Sequence, residues 1–350
     1  MNNDGPVLHR EYSAAMSRAT TADVAALAGV SLKTVSRVFG GGVGVSARTT
    51  EKVQRAAKEL SFRPNYIARE LRAGGISSTV GFVIGDLGNP FYSKVAAGVE
   101  RVLSRAGLTM LLAATDDESR QEPSVVQSML DRGVLALLLV PISGDHSYLQ
   151  TENPAGVPVV AVDRPLSNAG SDVVVFSNKQ GAVDAVRLLI DTGHRRIGFV
   201  GSPSGLYTHG ERVRGYRQAL DEGGLEWEAD LEHTDAPTVE LAETATKELL
   251  ELGSPPTAIF AGNNRAAVGV YTALRSQGAR TALVGFDDFD LAAALGITVV
   301  SHDPVKMGAT AAELALARVA ERSPAKAFES VEIPTSLTLR TSHLSVIQPR

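Results

Sequence analysis

The chain has 350 residues, 44 % hydrophobic and 5 % aromatic, which suits a soluble α/β protein of two or three domains with a large buried core. It has no cysteine, so disulfide frameworks and thiolate metal sites are excluded, and no apolar run approaches the ~18 residues of a transmembrane helix. The net charge of −5 is unevenly spread: residues 16–75 hold ten Lys and Arg against four Asp and Glu, and with −1 in residues 1–15 the remainder carries −10. A basic unit ahead of an acidic body points to a polyanion-binding head, and on charge alone equally to a solvated basic face.

In chain order, residues 1–17 read as a disordered polar leader without the basic-then-apolar pattern of a signal peptide, so a cytoplasmic location is expected. Met16 is an alternative start. Three short helices are predicted at 22–28, 32–39 and 47–60, with Ser31 and Ser46 at N-caps and Gly29 at a turn that needs positive φ. The glycines of 40–44 form a loop, and "PNYIARELRAGG" reads as a fourth helix with Pro64 at N1 and a Gly74–Gly75 stop. Beyond it, apolar strands at 78–85, 108–115, 134–142, 157–163, 196–201, 257–262, 281–287 and 297–302 alternate with amphipathic helices such as 93–107 and 180–193. Near-continuous apolar strands imply parallel sheets covered on both faces. So many of them imply two lobes, with a ligand beyond the strand C-termini between them.

The stretch "ADVAALAGVSLKTVSRV" fits a helix-turn-helix. Val24, Ala25 and Ala28 share one face, and Val30, Val35 and Val38 continue it across the turn. Leu32, Lys33, Thr34 and Arg37 are left near the start and outer face of the second helix, with Lys33 and Arg37 spaced to donate to guanine edges. Ser31 and Thr34, beside helix N-terminal amides, suit phosphates. A plain helical bundle with a polar surface is the competing reading, and the basic excess favours DNA.

That stretch, followed by "VSARTTEKVQRAAKELSFRPNYIARELR", resembles the DNA-binding headpiece of the lactose-repressor (LacI) family. The resemblance continues through "NPFY", "VDR", "TGHRRIGFVGSP", "ERVRGYRQAL" and "VGFDD", and so runs from Thr20 to Ser342. It implies a multi-domain fold. An all-α, lambda-repressor-like helix-turn-helix headpiece would occupy 18–62 and a hinge helix and linker 63–75. A two-lobed α/β core like the periplasmic binding proteins, with parallel sheets, would occupy 76–342, followed by a tail at 343–350. The N-lobe would comprise 76–177 and 304–331, the C-lobe 178–303 and 332–342. The resemblance implies base reading by Leu32, Lys33 and Arg37, and phosphate contacts from Thr20, Ser31, Thr34 and Ser36. It also implies that Leu71, beside Ala68, enters the minor groove between base steps, where unstacking is recovered by wrapping.

For the core, the resemblance implies an effector held by Phe91, Tyr92, Asp163, Arg164, Arg212, Asn263 and Asp287. An arginine, acids and an aromatic plate suit a sugar or other polyol. The sequence departs from the family pattern at Gly40, where Asn is usual, and at Asn264 and Ser177, where Asp is common. The approach "SQGARTALVGFD" is also shorter than usual.

Enzyme signals are weak. "GSPSG" has its serines misplaced for a nucleophile elbow, and neither a phosphate loop nor an H-E-x-x-H helix is present. The histidines are scattered, and His194 reads as structural. No catalytic residue, metal or cofactor is expected. The expectation is a cytoplasmic, nucleoid-associated regulator, a repressor in its simplest form. It would bind double-stranded, pseudo-palindromic operator DNA as a homodimer, under a small sugar-like effector in the cleft and without membrane contact. The absence of a leucine-heptad tail favours the dimer. A free-standing solute-binding protein would show a signal peptide and no basic headpiece. A Rossmann-like sugar or nucleotide enzyme would show a convergent catalytic set.

Overall fold

In the computed structural model, which describes residues 19–39, 44–62, 77–202, 205–321 and 327–344, the chain divides into two units at Ile76 and Ser77. The first contains α1 (Thr21–Ala28), α2 (Leu32–Phe39) and α3 (Ala47–Glu59). Thr20 opens α1 with a reciprocal cap: its N–H donates to Asp23 Oδ2 at 2.7 Å, and Asp23 N–H donates to Thr20 Oγ1 at 3.3 Å. Gly29 closes α1 at φ 63°, a left-handed conformation that a side chain would strain. Ser31 and Ser46 cap the next two helices by accepting from Thr34 N–H and Thr49 N–H. Val24, Ala25, Val35, Val53, Ala56 and Ala57 form the core, and the rings of Phe39 and Phe62 meet at 5.7 Å beside it. The expected hinge helix, with Ala68 and Leu71, lies outside the described residues, as does the leader.

The second unit is built twice over. Its first sheet runs in the order β11-β5-β4-β3-β1-β2. The strands are β1 (Thr79–Ile84), β2 (Thr109–Ala114), β3 (Leu137–Leu139), β4 (Val159–Val162), β5 (Asp172–Phe176) and β11 (Ser330–Ile333). Its second sheet runs β12-β10-β9-β8-β6-β7. This one comprises β6 (Ile197–Val200), β7 (Glu232–His233), β8 (Ala258–Ala261), β9 (Ala282–Phe286), β10 (Thr298–Ser301) and β12 (Ser336–Thr338). Among the described residues all pairings are parallel except β10 with β12. Helices α4 (Pro90–Arg105), α5 (Glu122–Asp131), α6 (Tyr148–Glu152) and α12 (Pro304–Ala320) belong to the first lobe. Helices α7 (Asn178–Asp191), α8 (Tyr207–Glu222), α9 (Val239–Glu251), α10 (Asn264–Gln277) and α11 (Ala292–Leu295) belong to the second. Covered on both faces, β1 buries every residue but Thr79, which is why its sequence is a continuous apolar run.

Two expected boundaries move. Ile333 pairs with Phe176 on β5, so the third crossing between lobes falls at Pro334–Thr335, and Glu332 and Ile333 belong to the N-lobe. His343 is part of the C-lobe rather than of a tail. It is buried with its Nδ1 2.8 Å from Thr298 Oγ1, while Ser342 Oγ donates to the Leu283 carbonyl.

Close helix packing fixes the N-lobe. A Cβ on Gly98 of α4 would sit 2.0 Å from the Val305 carbonyl oxygen, and one on Gly308 of α12 would sit 2.0 Å from that of Val95. The two helices therefore touch backbone to backbone, which only glycine permits at those positions.

Candidate functional site

In the first unit, α2 turns Val35 into the core and leaves Leu32, Lys33, Ser36 and Arg37 exposed on the opposite side. Leu32 is 56 % exposed, a large apolar side chain that the three-helix core does not use. Thr34 is half-buried, and its hydroxyl lies 2.9 Å from that of Ser31. The hydroxyls of Thr20 and Ser31 thus satisfy helix N-termini, and α2 carries no acid in its first turn to repel a phosphate. Asp23 is held below the usual carboxylate range by the Thr20 N–H and hydroxyl.

In the second unit, the site residues gather at the C-terminal ends of the strands. Asp163 follows β4 and Asp287 follows β9, equivalent places in the two lobes, and both adopt left-handed backbone at φ 69° and 68°. Each N–H donates to the neighbouring strand, Asp163 to the Val174 carbonyl and Asp287 to the Val300 carbonyl. An aspartate tolerates this conformation better than most residues, and strain of this kind gathers at ligand sites.

Arg212, on α8, is the best-held side chain of the site. Its Nε–H donates to Asn178 Oδ1 at 2.9 Å and its Nη1 to the Gly262 carbonyl at 2.7 Å. Its Nη2 donates to Asp287 Oδ1 at 3.2 Å, and the guanidinium carbon lies 3.7 Å above the centre of the Phe286 ring. His302 Nε2 lies 2.8 Å from the same Asp287 oxygen. Across the cleft, Arg164 Nη1 donates to the Pro141 carbonyl at 3.1 Å and Nη2 to the Tyr92 hydroxyl at 3.1 Å. Its Nε sits 3.3 Å from Asp163 Oδ2 but off hydrogen-bonding geometry, and makes no bond among the described residues. Phe91 packs edge-on to Tyr92 and to His302.

Burial drives the carboxyls of this site upward, and what opposes it decides their states. At Asp287 the burial cost is outweighed by Arg212 and the His302 N–H, which hold the carboxyl at about 2. At Asp163 burial wins over Arg164 and Arg212, and the carboxyl stays above its usual range. Burial likewise raises Tyr92, so its hydroxyl remains protonated.

The lobes also meet directly. Arg265 pairs with Asp86, Asn264 Nδ2 donates to Asn89 Oδ1 at 3.2 Å, and Lys94 pairs with Asp290 at 3.3 Å. Beside these contacts lies a cavity of about 360 Å³ bordered by Phe91, Lys94, Asp287, Phe289, His302 and Arg340. Arg340 in turn pairs with Asp288 at 2.9 Å.

Of the expected effector residues, Phe91, Tyr92, Asp163, Arg164, Arg212 and Asp287 come together. Asn263 does not bond to any of them. Its carboxamide caps α10 by accepting from Ala266 N–H and donates to Ser202, and it is the adjoining Gly262 carbonyl that reaches Arg212. Three contributors were missed. Asn178 and His302 stand alone in the sequence, with no spacing to mark them. Glu122, fully buried at the start of α5, accepts from Ile142 N–H at 2.6 Å and Tyr148 hydroxyl at 2.9 Å, and so fixes the loop whose Pro141 carbonyl receives Arg164. His194 is structural, as expected, with Nδ1 3.0 Å from Thr257 Oγ1.

Residues 20–65 match the lacI family of bacterial regulatory proteins, and residues 77–325 match the periplasmic binding proteins and sugar binding domain of the LacI family. The ribose operon repressor of Haemophilus influenzae is 30 % identical over 339 residues, spanning 94 % of this chain and 99 % of that protein. Among solved structures, a complex of the transcriptional regulator CelR with cellobiose is 31 % identical, with a TM-score of 0.68 over 93 % of this chain and 100 % of that one. The lac repressor dimer bound to operator and the anti-inducer ONPF has a TM-score of 0.81 over 94 % of this chain and 100 % of that one. At 24 % identity it shows likeness of fold.

Proposed function

Because the chain belongs to the LacI family of bacterial regulatory proteins and is a DNA-binding regulator rather than an enzyme, we propose that it is a repressor released or engaged by a neutral, sugar-like effector in the interlobe cleft. One observation carries the effector class. Among the described residues at the cleft, each cation already has an acidic partner: Arg164 with Asp163, Arg212 with Asp287, Arg265 with Asp86, Lys94 with Asp290 and Arg340 with Asp288. A carboxylate or phosphate ligand would have to break one of these pairs, whereas hydroxyl groups can bond to both members of a pair. The relatives named for the ribose operon and crystallised with cellobiose support the same class.

On this reading two headpieces of a homodimer bind a pseudo-palindromic operator in the cytoplasm, at the nucleoid. Leu32, Lys33 and Arg37 read bases, while Thr20, Ser31, Thr34 and Ser36 line the phosphates. Ala68 and Leu71 would serve the minor groove. Phe91, Tyr92, Asp163, Arg164, Arg212 and Asp287 hold the effector, with Asn263 supporting them through its helix cap. The test is a thermal-shift screen of neutral sugars against sugar phosphates and sugar acids, followed by operator titration with each compound that shifts melting. Stabilisation by neutral sugars that also change operator affinity supports the reading. Stabilisation by the anionic compounds alone overturns the effector class.

A further inference from the structure

His302 has no role in any motif, yet it sits where the cleft meets the hinge. It lies on the crossing between β10 and α12, with 3 % of its side chain exposed. The Asp287 carboxylate can only accept, so His302 Nε2–H donates to it at 2.8 Å, and one carboxylate therefore holds both this ring and Arg212. The imidazole stacks on Phe176 at 4.0 Å and 22°. Phe176 ends β5, immediately before a second crossing, where its carbonyl accepts from Asn178, the partner of Arg212. Phe91 meets the ring edge-on at 5.6 Å from the N-lobe, and Phe286 lies 6.2 Å away in the C-lobe. His302 Nδ1 is buried and has no hydrogen-bond partner among the described residues.

We propose that His302 is the positioning residue through which occupancy of the Arg212–Asp287 pair sets the closure of the two lobes. A hydroxyl that donates to Asp287 competes for the oxygen His302 uses. Any shift of the ring is passed to Phe176, and so to two of the three crossings. The half-satisfied imidazole makes a second arrangement accessible, because a rotation that gives Nδ1 a partner compensates for the bond lost at Nε2. Packed rings at a hinge switch between discrete arrangements rather than deforming smoothly, and that is what links a site to a distant surface. The proposal rests on the effector reading only in placing the ligand at Arg212 and Asp287.

The test needs no ligand. The chain lacks cysteine, so spin labels can be placed solely at Arg120→Cys and Asp235→Cys, exposed positions that follow the edge strands β2 and β7 on the side of the sheets away from the hinge. Double electron–electron resonance on the full chain, diluted with unlabelled protein to suppress distances between protomers, reports lobe closure. His302→Phe keeps the stack but loses the N–H, His302→Gln keeps an N–H donor, and Phe176→Leu removes the stack. The expected result is a second, longer-distance population in His302→Phe and in Phe176→Leu, with His302→Gln close to the parent. Coincident distributions in all four proteins overturn the proposal, even if melting temperatures fall, because a purely structural role lowers stability without changing closure. Should His302→Phe fail to fold, Phe176→Leu decides. Failure of every sugar to stabilise the protein would sink the effector reading and leave this result standing.

Discussion

Arg37 and Arg212 are both arginines on helices, yet their surroundings differ, and the proposed function gives them separate tasks. Arg37 is exposed on α2, whereas Arg212 is buried and bonded to Asn178, Gly262 and Asp287. Arg37→Ala is expected to cost ~1–3 kcal/mol of operator binding and to relax sequence preference. Fluorescence anisotropy against matched and altered operators would show this, with the sugar-induced melting shift unchanged. Arg212→Ala should abolish that melting shift while the headpiece still binds DNA. Leaving Asp287 short of its cation should also cost ~3 kcal/mol of stability by urea denaturation. His209, 4 % exposed and beside Phe199, is lowered to about 4, first by burial and then by Arg212. The unfolded chain therefore takes up this proton first. Stability is whole above the ordinary value of 6.5 and is lost as pH falls from there toward 4, by on the order of 3 kcal/mol. His209→Gln should flatten that part of the stability profile relative to the parent, and parallel profiles would contradict it. The Asp287 carboxyl, held at about 2 from 3.8, contributes its full stability above 3.8, and that contribution is lost only below this window, as pH falls through about 2.

At the level of helices and strands, residues whose partners are near in sequence were legible. The turn at Gly29, the caps at Ser31 and Ser46 and the bounds of α2 are local, and each appears where the residue pattern places it. Strands β5, β7, β11 and β12 were not read. Strands β7, β11 and β12 are edge strands of two to four residues, held by pairing with a neighbouring strand rather than by their own pattern, whereas β5 lies inside its sheet and its apolar run "DVVVF" was there to be read. The contact of α4 with α12 was hidden as well, since nothing local marks Gly98 and Gly308 as touching. Gly98→Ala is expected to lose at least ~2 kcal/mol in urea denaturation, because the methyl group must push a backbone carbonyl away. Gly144→Ala, with nothing within 4 Å of the added carbon, is the control and should change little.

For the whole molecule, charge is divided by task. The basic residues 16–75 precede a body of −10, a division that suits a head that binds DNA and a body that DNA repels. Operator affinity should therefore fall steeply and linearly on a log–log plot against salt, with a slope of about −0.9 per phosphate neutralised. Affinity unchanged between about 50 and 200 mM salt would contradict an electrostatic headpiece. Coupling must also be reciprocal: whatever factor a sugar imposes on operator affinity, operator imposes on sugar affinity, which calorimetry with and without operator duplex measures.

The sequence alone determined the two-part plan, the helix-turn-helix and its outward face, and the alternation of apolar strands with helices. Periodicity, caps and charge blocks are properties of neighbouring residues, so they survive in one dimension. Only the tertiary structure decided which groups share the cleft. Arg212 meets Asp287 across 75 positions, Arg164 meets Tyr92 across 72, and Asn178 and His302 join them from opposite crossings between the lobes. Such pairs are selected by burial, where an unpartnered charge is costly, and burial is settled when the sheets assemble.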